Sequence, residues 1–182
     1  LIEDNLRSSK IPYRIIGGTK FYDRKEVKDM LAYMRLVVND KDSLALSRII
    51  NVPARGIGAT SLRKLEEEAI KASVSLWEII CEIVENSEKY SFLKIGAKIK
   101  SSLKEMVNII SEIKVLDSEK VSPVTLYEKL LQDTGYFDYL KAQKDYESLA
   151  RIENLEELSS AIKQYEQSNP NASLLGFLET IT

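Results

Sequence analysis

The chain has 182 residues, 44% of them hydrophobic and 30% charged, and 26 Lys+Arg against 28 Asp+Glu leave a net charge of −2. That length and apolar content are enough for one substantial core and predict a single domain. With no histidine and one cysteine, Cys81, the sequence excludes an intramolecular disulfide, a His-dependent triad and an ordinary zinc site. The lone thiol suits a small core position in a reducing, cytoplasmic setting. No apolar run approaches the roughly 18 residues of a membrane span, so no membrane partner is expected.

Pro12-Tyr13-Arg14-Ile15-Ile16 reads as a short strand that ends at Gly17-Gly18. Everything after it reads as helix. Val27, Met30, Leu31, Met34, Val37 and Val38 recur at threes and fours and predict a helix from about 24 to 39 with one apolar stripe. Lys28 and Arg35, seven apart, fall on the opposite face, where they either meet a ligand or form part of a solvated charged surface with Asp29 near Lys25. Asp42 is placed to cap a short helix carrying Leu44, Leu46, Ile49 and Ile50. Ser75 and Glu78 have capping-box spacing and start a helix with Trp77, Ile80 and Val84 inside. Residues 86–96 read as polar loop. Ala97, Ile99, Leu103, Met106, Ile110 and Ile113 then mark a long helix. Ser122-Pro123 pairs a cap with a proline at the first helical position, opening a helix that ends at Gly135. A short helix is expected at Tyr136–Leu140 and a long one from about Tyr146 to Gln167, with Leu149, Ile152, Leu155, Leu158, Ile162 and Tyr165 inside. Ser173 is placed to cap a last apolar segment after the break at 168–171. The expectation is a compact all-α domain with one short residual strand.

Residues 48–65 carry most of the functional information. Pro53 stops a helix, Gly56-Ile57-Gly58 makes a tight turn, and Thr60 or Ser61 is placed to cap a new helix with Leu62, Leu65, Ala69 and Ile70 on one face. Glycines let the backbone approach an anion, and the free N–H groups of the following helix start point at it. Ile57 is expected to plug the hairpin into its own core. Arg48, Arg55, Arg63 and Lys64 lie in this stretch without an acidic residue among them. The same tripeptide also fits a plain helix–turn–helix corner.

The surrounding sequence adds a resemblance. Tyr13–Gly18, Phe21–Asp29, Leu31–Leu36, Asn51–Gly58 and Arg151-Ile152-Glu153-Asn154-Leu155-Glu156-Glu157-Leu158 together resemble the UvrD/PcrA/Rep group of superfamily 1 DNA helicases. The likeness is densest over 11–65 and 149–166, and about 80–120 carries no recognisable motif. No G-x-x-x-x-G-K-[ST] phosphate loop occurs, nor an acidic pair after a hydrophobic strand. Together with a start at Leu1, this reads as an excised piece of a helicase, without catalytic or metal-binding residues of its own.

The resemblance implies that residues 1–16 are a remnant of motor domain 2A and that 17–182 form the helical accessory domain 2B. Gly17 and Gly18 then look like a hinge. ATP and Mg²⁺ would belong to the parent protein, with no cofactor in this fragment. Arg55, Gly56, Ile57, Gly58, Thr60, Ser61 and Lys64 would form a clamp on duplex DNA phosphates near a single-strand/double-strand junction. Lys28 and Arg35 match basic positions facing the duplex. Arg151 and Glu153 are expected in structural ion pairs, and Glu66-Glu67-Glu68 and Glu156-Glu157 on exposed helix faces. Tyr136, Phe137 and Tyr139 read as core or capping aromatics. The alternative to a DNA-binding regulatory domain is a helical module that docks repair or transcription proteins.

Overall fold

The computed structural model describes residues 19–181. The expected strand at 12–16, the proposed hinge at Gly17 and Gly18 and the motor-domain remnant therefore lie outside the described residues. Within them every regular element is helical: α1 (Thr19–Tyr22), α2 (Lys25–Val38), α3 (Ser43–Ile49), α4 (Ala59–Ala72), α5 (Leu76–Glu85), a 3₁₀ turn (Ser91–Leu93), α6 (Ala97–Ser118), α7 (Pro123–Asp133), α8 (Tyr136–Gln143), α9 (Tyr146–Ser168) and α10 (Leu174–Glu179).

The helix starts follow the local chemistry. Asp42 accepts from Ala45 N at 2.9 Å, and Ser75 and Glu78 close a reciprocal capping box. Ser122 receives Thr125 N with Pro123 behind it, Asp145 receives Ser148 N at 2.6 Å, and Ser173 receives Gly176 N at 3.0 Å. Each side-chain oxygen satisfies a backbone donor that the first helical turn leaves open. At the other ends Ser73 and Lys144 adopt left-handed backbone, and Gly135 does so at φ +68° between α7 and α8.

Helix α2 is the hub. It packs against α1, α3, α6, α7, α9 and α10, and ten of its 14 residues are buried. The single apolar stripe expected there is therefore too narrow, because neighbours close on the helix from nearly every side. Burial on all sides also takes in Glu26, Asp29 and Tyr33, none of which periodicity marks as core. Lys28 and Arg35 remain exposed, as their spacing predicts.

Several expectations about burial need correction. Leu44, Ile70 and Leu149 point outward, 86%, 78% and 58% exposed, because no helix packs on their side. The polar stretch 86–96 is more than loop: Tyr90, Leu93 and Ile95 fold into the core around the 3₁₀ turn. Cys81 is half-buried, and burial, with the Glu85 charge behind it, pushes its thiol up to about 11. No helix among the described residues is long and apolar enough to cross a membrane.

Candidate nucleic-acid interface

The segment between α3 and α4 is a turn clamped from inside. The Asn51 side-chain oxygen accepts both Arg55 N at 2.7 Å and Ile57 N at 3.1 Å, so one amide organises the whole bend. Such Asx bracing is what lets a short polar side chain replace a backbone partner. Gly56 sits at φ +76°, a left-handed conformation that favours glycine. Ile57 is 2% exposed and anchors the turn, a burial that stabilises it by about 2 kcal/mol.

Gly58 leads into α4 and is its N-cap, with extended backbone (φ −80°, ψ 172°) and no side-chain cap. This corrects the expectation that Thr60 or Ser61 caps the helix: both lie within the first turn. The Gly58 carbonyl accepts Ser61 N and Leu62 N, each at 3.0 Å. The N–H groups of Gly58, Ala59 and Thr60 have no partner among the described residues. Gly56, Gly58, Ala59 and Thr60 are exposed and Ser61 is partly so. A Cβ at Gly56 or at Gly58 would meet nothing within 4 Å. The turn thus offers unfilled backbone donors and two hydroxyls at the positive end of a 14-residue helix.

The cations of this stretch are placed differently from their sequence neighbours. Arg48 pairs with buried Asp29 at 2.7 Å and also donates to Lys25 O at 3.3 Å. The Arg55 guanidinium turns inward, to Ile49 O, Pro53 O, the Tyr33 hydroxyl and Thr134 O. Lys64 Nζ donates to Leu93 O at 2.9 Å and ties α4 to the 3₁₀ turn. Arg63 stays outside, 3.6 Å from Glu67 one turn on. The apparent charge surplus of residues 48–64 is therefore largely spent within the fold.

Lys28 and Arg35 line a separate open groove of about 790 Å³ together with Arg48, Asp42, Leu44 and Thr180. No residue of 55–64 borders it. Lys28 is paired with Asp23 at 2.7 Å, whereas no described residue forms an ion pair with Arg35. Asp29, expected on the surface beside Lys25, is buried between Arg48 and Tyr136 instead.

Most of the other singled-out residues are structural. Arg151 pairs with Glu147 one turn away. Tyr136 is buried with its hydroxyl donating to Asp29 at 2.9 Å, and Phe137 lies under Lys141. Tyr139 is 40% exposed. Glu66 accepts from Ser47, and Glu67 is exposed. Within the 151–158 stretch, Asn154 joins Glu26 of α2 to Arg24, and Arg24 lies 3.7 Å from Glu157. Residues 151–158 thus dock α9 on α2.

The described residues form an all-helical domain with a braced helix–hairpin–helix element on its surface. The UvrD-like helicase C-terminal domain model matches residues 1–182, and the chain belongs to that family. The ATP-dependent DNA helicase PcrA of Staphylococcus epidermidis is 36% identical over 188 residues, covering 100% of this chain and 24% of its own. PcrA of Bacillus subtilis is 38% identical over 178 residues, covering 98% and 23%. PcrA of Staphylococcus aureus is 32% identical over 184 residues, covering 100% and 24%. The chain thus spans about a quarter of the length of the curated relatives it matches. The described residues hold no group of three or more His, Cys, Asp or Glu that could hold a metal ion.

Proposed function

We propose that this chain is the 2B accessory domain, with a short piece of 2A at residues 1–16, of an ATP-dependent 3′-to-5′ DNA helicase working in repair or replication in the bacterial cytoplasm. In this reading it binds duplex DNA beside the single-strand junction and regulates unwinding, while the motor domains bind ATP and Mg²⁺. One observation carries the binding role. The turn at Gly56–Gly58 leaves the N–H groups of Gly58, Ala59 and Thr60 open at an exposed helix start, where the Thr60 and Ser61 hydroxyls add donors. A phosphate oxygen is the ligand such donors suit, and contacts of this kind position a protein on DNA without reading its sequence. Lys64 and Arg55 serve by holding the turn. Arg35, exposed and without an ion pair among the described residues, adds a second point of contact, with Lys28 beside it.

Gly17 and Gly18 are the proposed hinge about which the domain swivels against the motor domains. The test of the binding role is duplex affinity as a function of salt. Engagement of two or three phosphates gives a log–log slope of about −2 to −3, the same for unrelated duplex sequences. A slope near zero, or no duplex binding, removes this function. A second reading rests on Tyr146 and Leu149, 88% and 58% exposed at the start of α9. It makes that end of the domain a docking face for repair or transcription proteins, and it predicts partner binding that survives loss of the hairpin.

A further inference from the structure

We infer that Arg55 is a positioning residue, which holds the hairpin's amides in place from behind and makes no contact with the phosphate they bind. The inference rests on the proposed reading of the hairpin as a phosphate site. Four guanidinium donors are engaged: Nη1 reaches Ile49 O at 3.2 Å and Pro53 O at 3.3 Å, and Nη2 reaches the Tyr33 hydroxyl at 2.8 Å and Thr134 O at 3.5 Å. Arginine carries five such donors in a rigid planar fork, so only Nε remains. Turning the fork outward to a phosphate would give up all four bonds at once.

The partners come from separate parts of the fold. Ile49 ends α3, Pro53 lies in the turn, Tyr33 belongs to the hub α2, and Thr134 caps α7. Tyr33 is buried, its ring stacks 5.9 Å from the guanidinium, and its hydroxyl donates in turn to Val52 O. One hydroxyl therefore links residues 52 and 55 across the bend. The Arg55 backbone is held as well: its N–H donates to Asn51, and its carbonyl accepts Ser102 Oγ at 3.2 Å from α6. A binding turn locked in this way has its ordering cost removed before the ligand arrives, which is how preorganisation raises affinity.

The experiment measures duplex affinity and its salt slope for the wild-type chain and for Arg55→Gln, Arg55→Lys and Tyr33→Phe, with circular dichroism as the folding check. A residue that neutralises phosphate contributes about 0.9 to the slope, and lysine replaces it well. A planar brace contributes nothing to the slope, and lysine, a point charge, cannot replace it. We expect both Arg55 variants to bind about tenfold more weakly with an unchanged slope. Tyr33→Phe, which alters no charge, should weaken binding in the same direction and shift the amide resonances of Ile57 to Thr60 but not those of α9. Should Arg55→Gln fail to fold, Arg55→Lys and Tyr33→Phe decide. A slope shallower by about 0.9 in Arg55→Gln, recovery in Arg55→Lys, or wild-type binding by any of the folded variants overturns the assignment. Absence of duplex binding by the wild-type chain overturns the hairpin reading and this inference together.

Discussion

Arg48 and Asp29 lie 19 positions apart and meet at 2.7 Å, Nε to Oδ1, where α3 packs on α2. Asp29 is 1% exposed, and its second oxygen accepts the Tyr136 hydroxyl at 2.9 Å. One carboxylate thus joins α2, α3 and α8. Removing one partner of such a pair leaves an uncompensated buried charge, which costs more than the intact pair contributes. The Arg48 side chain is 37% exposed, so solvent softens the loss. Arg48→Ala is expected to lower unfolding free energy by about 2 kcal/mol in urea titration. Its salt slope for duplex binding should stay at the wild-type value. A variant as stable as wild type would mean the bridge is dispensable.

The buried hydroxyls predict an alkaline limit to stability. Burial raises Tyr33 from 10.0 to about 12, and it carries Tyr127 and Tyr136 up as well, the Asp29 charge adding to burial at Tyr136. Cys81 goes from 9.0 to about 11 by burial first and Glu85 second. In each case the folded chain keeps a proton that the unfolded chain gives up, so stability is full below the unfolded values and falls as pH rises through the folded ones. The melting temperature should be flat from about pH 7 to 9 and then decline toward about pH 12. Tyrosinate absorbance should rise in two phases, the later one coincident with loss of helicity. A single phase centred near the ordinary tyrosine value would show that these hydroxyls are not held by the fold.

Much of the domain is legible in the sequence because helix starts are local events. Asp42, Ser75, Ser122 and Ser173 act within three residues of themselves, and all four cap as their positions predict. Helix faces are less legible where tertiary packing decides, as at α2, closed in by six neighbouring helices, and at Ile70, which no neighbour covers. The hairpin is legible in its glycines and Pro53, and Ile57 is buried as that reading requires. Its clamp is not. Asn51 carries a usable signal, a short amide five residues before a glycine turn. Tyr33, Thr134 and Leu93, which absorb Arg55 and Lys64, lie far away in sequence, and nothing local announces them. Charge counted along the chain therefore overstated the charge facing solvent.

The proposed hinge predicts a separation of activities in the parent helicase. A domain joined by a glycine pair moves by letting those residues change backbone angles, and β-branched side chains restrict that freedom. Replacing Gly17 and Gly18 with valine should reduce or redirect strand unwinding severalfold while leaving single-strand-stimulated ATP hydrolysis near wild type. Parallel loss of both activities would point to a folding role and end the hinge proposal.

Gly58 allows the phosphate proposal to be tested without disturbing the fold. Its backbone is extended, and a side chain there projects into open space, whereas Gly56 at φ +76° would be strained by any replacement. Aspartate is a better N-cap than glycine by a few tenths of a kcal/mol, because its carboxylate accepts the first-turn N–H groups. Gly58→Asp should therefore melt at or slightly above the wild-type temperature. The same carboxylate occupies those donors and sets a negative charge where the phosphate would sit, so duplex affinity should fall at least about tenfold. Gly58→Ser, which caps without charge, should fall between the two. The residual salt slope of Gly58→Asp then reports contacts made elsewhere, with Arg35 the first to substitute. Wild-type affinity in a folded Gly58→Asp chain would take the hairpin out of the interface and leave the groove lined by Lys28 and Arg35 as the place to look.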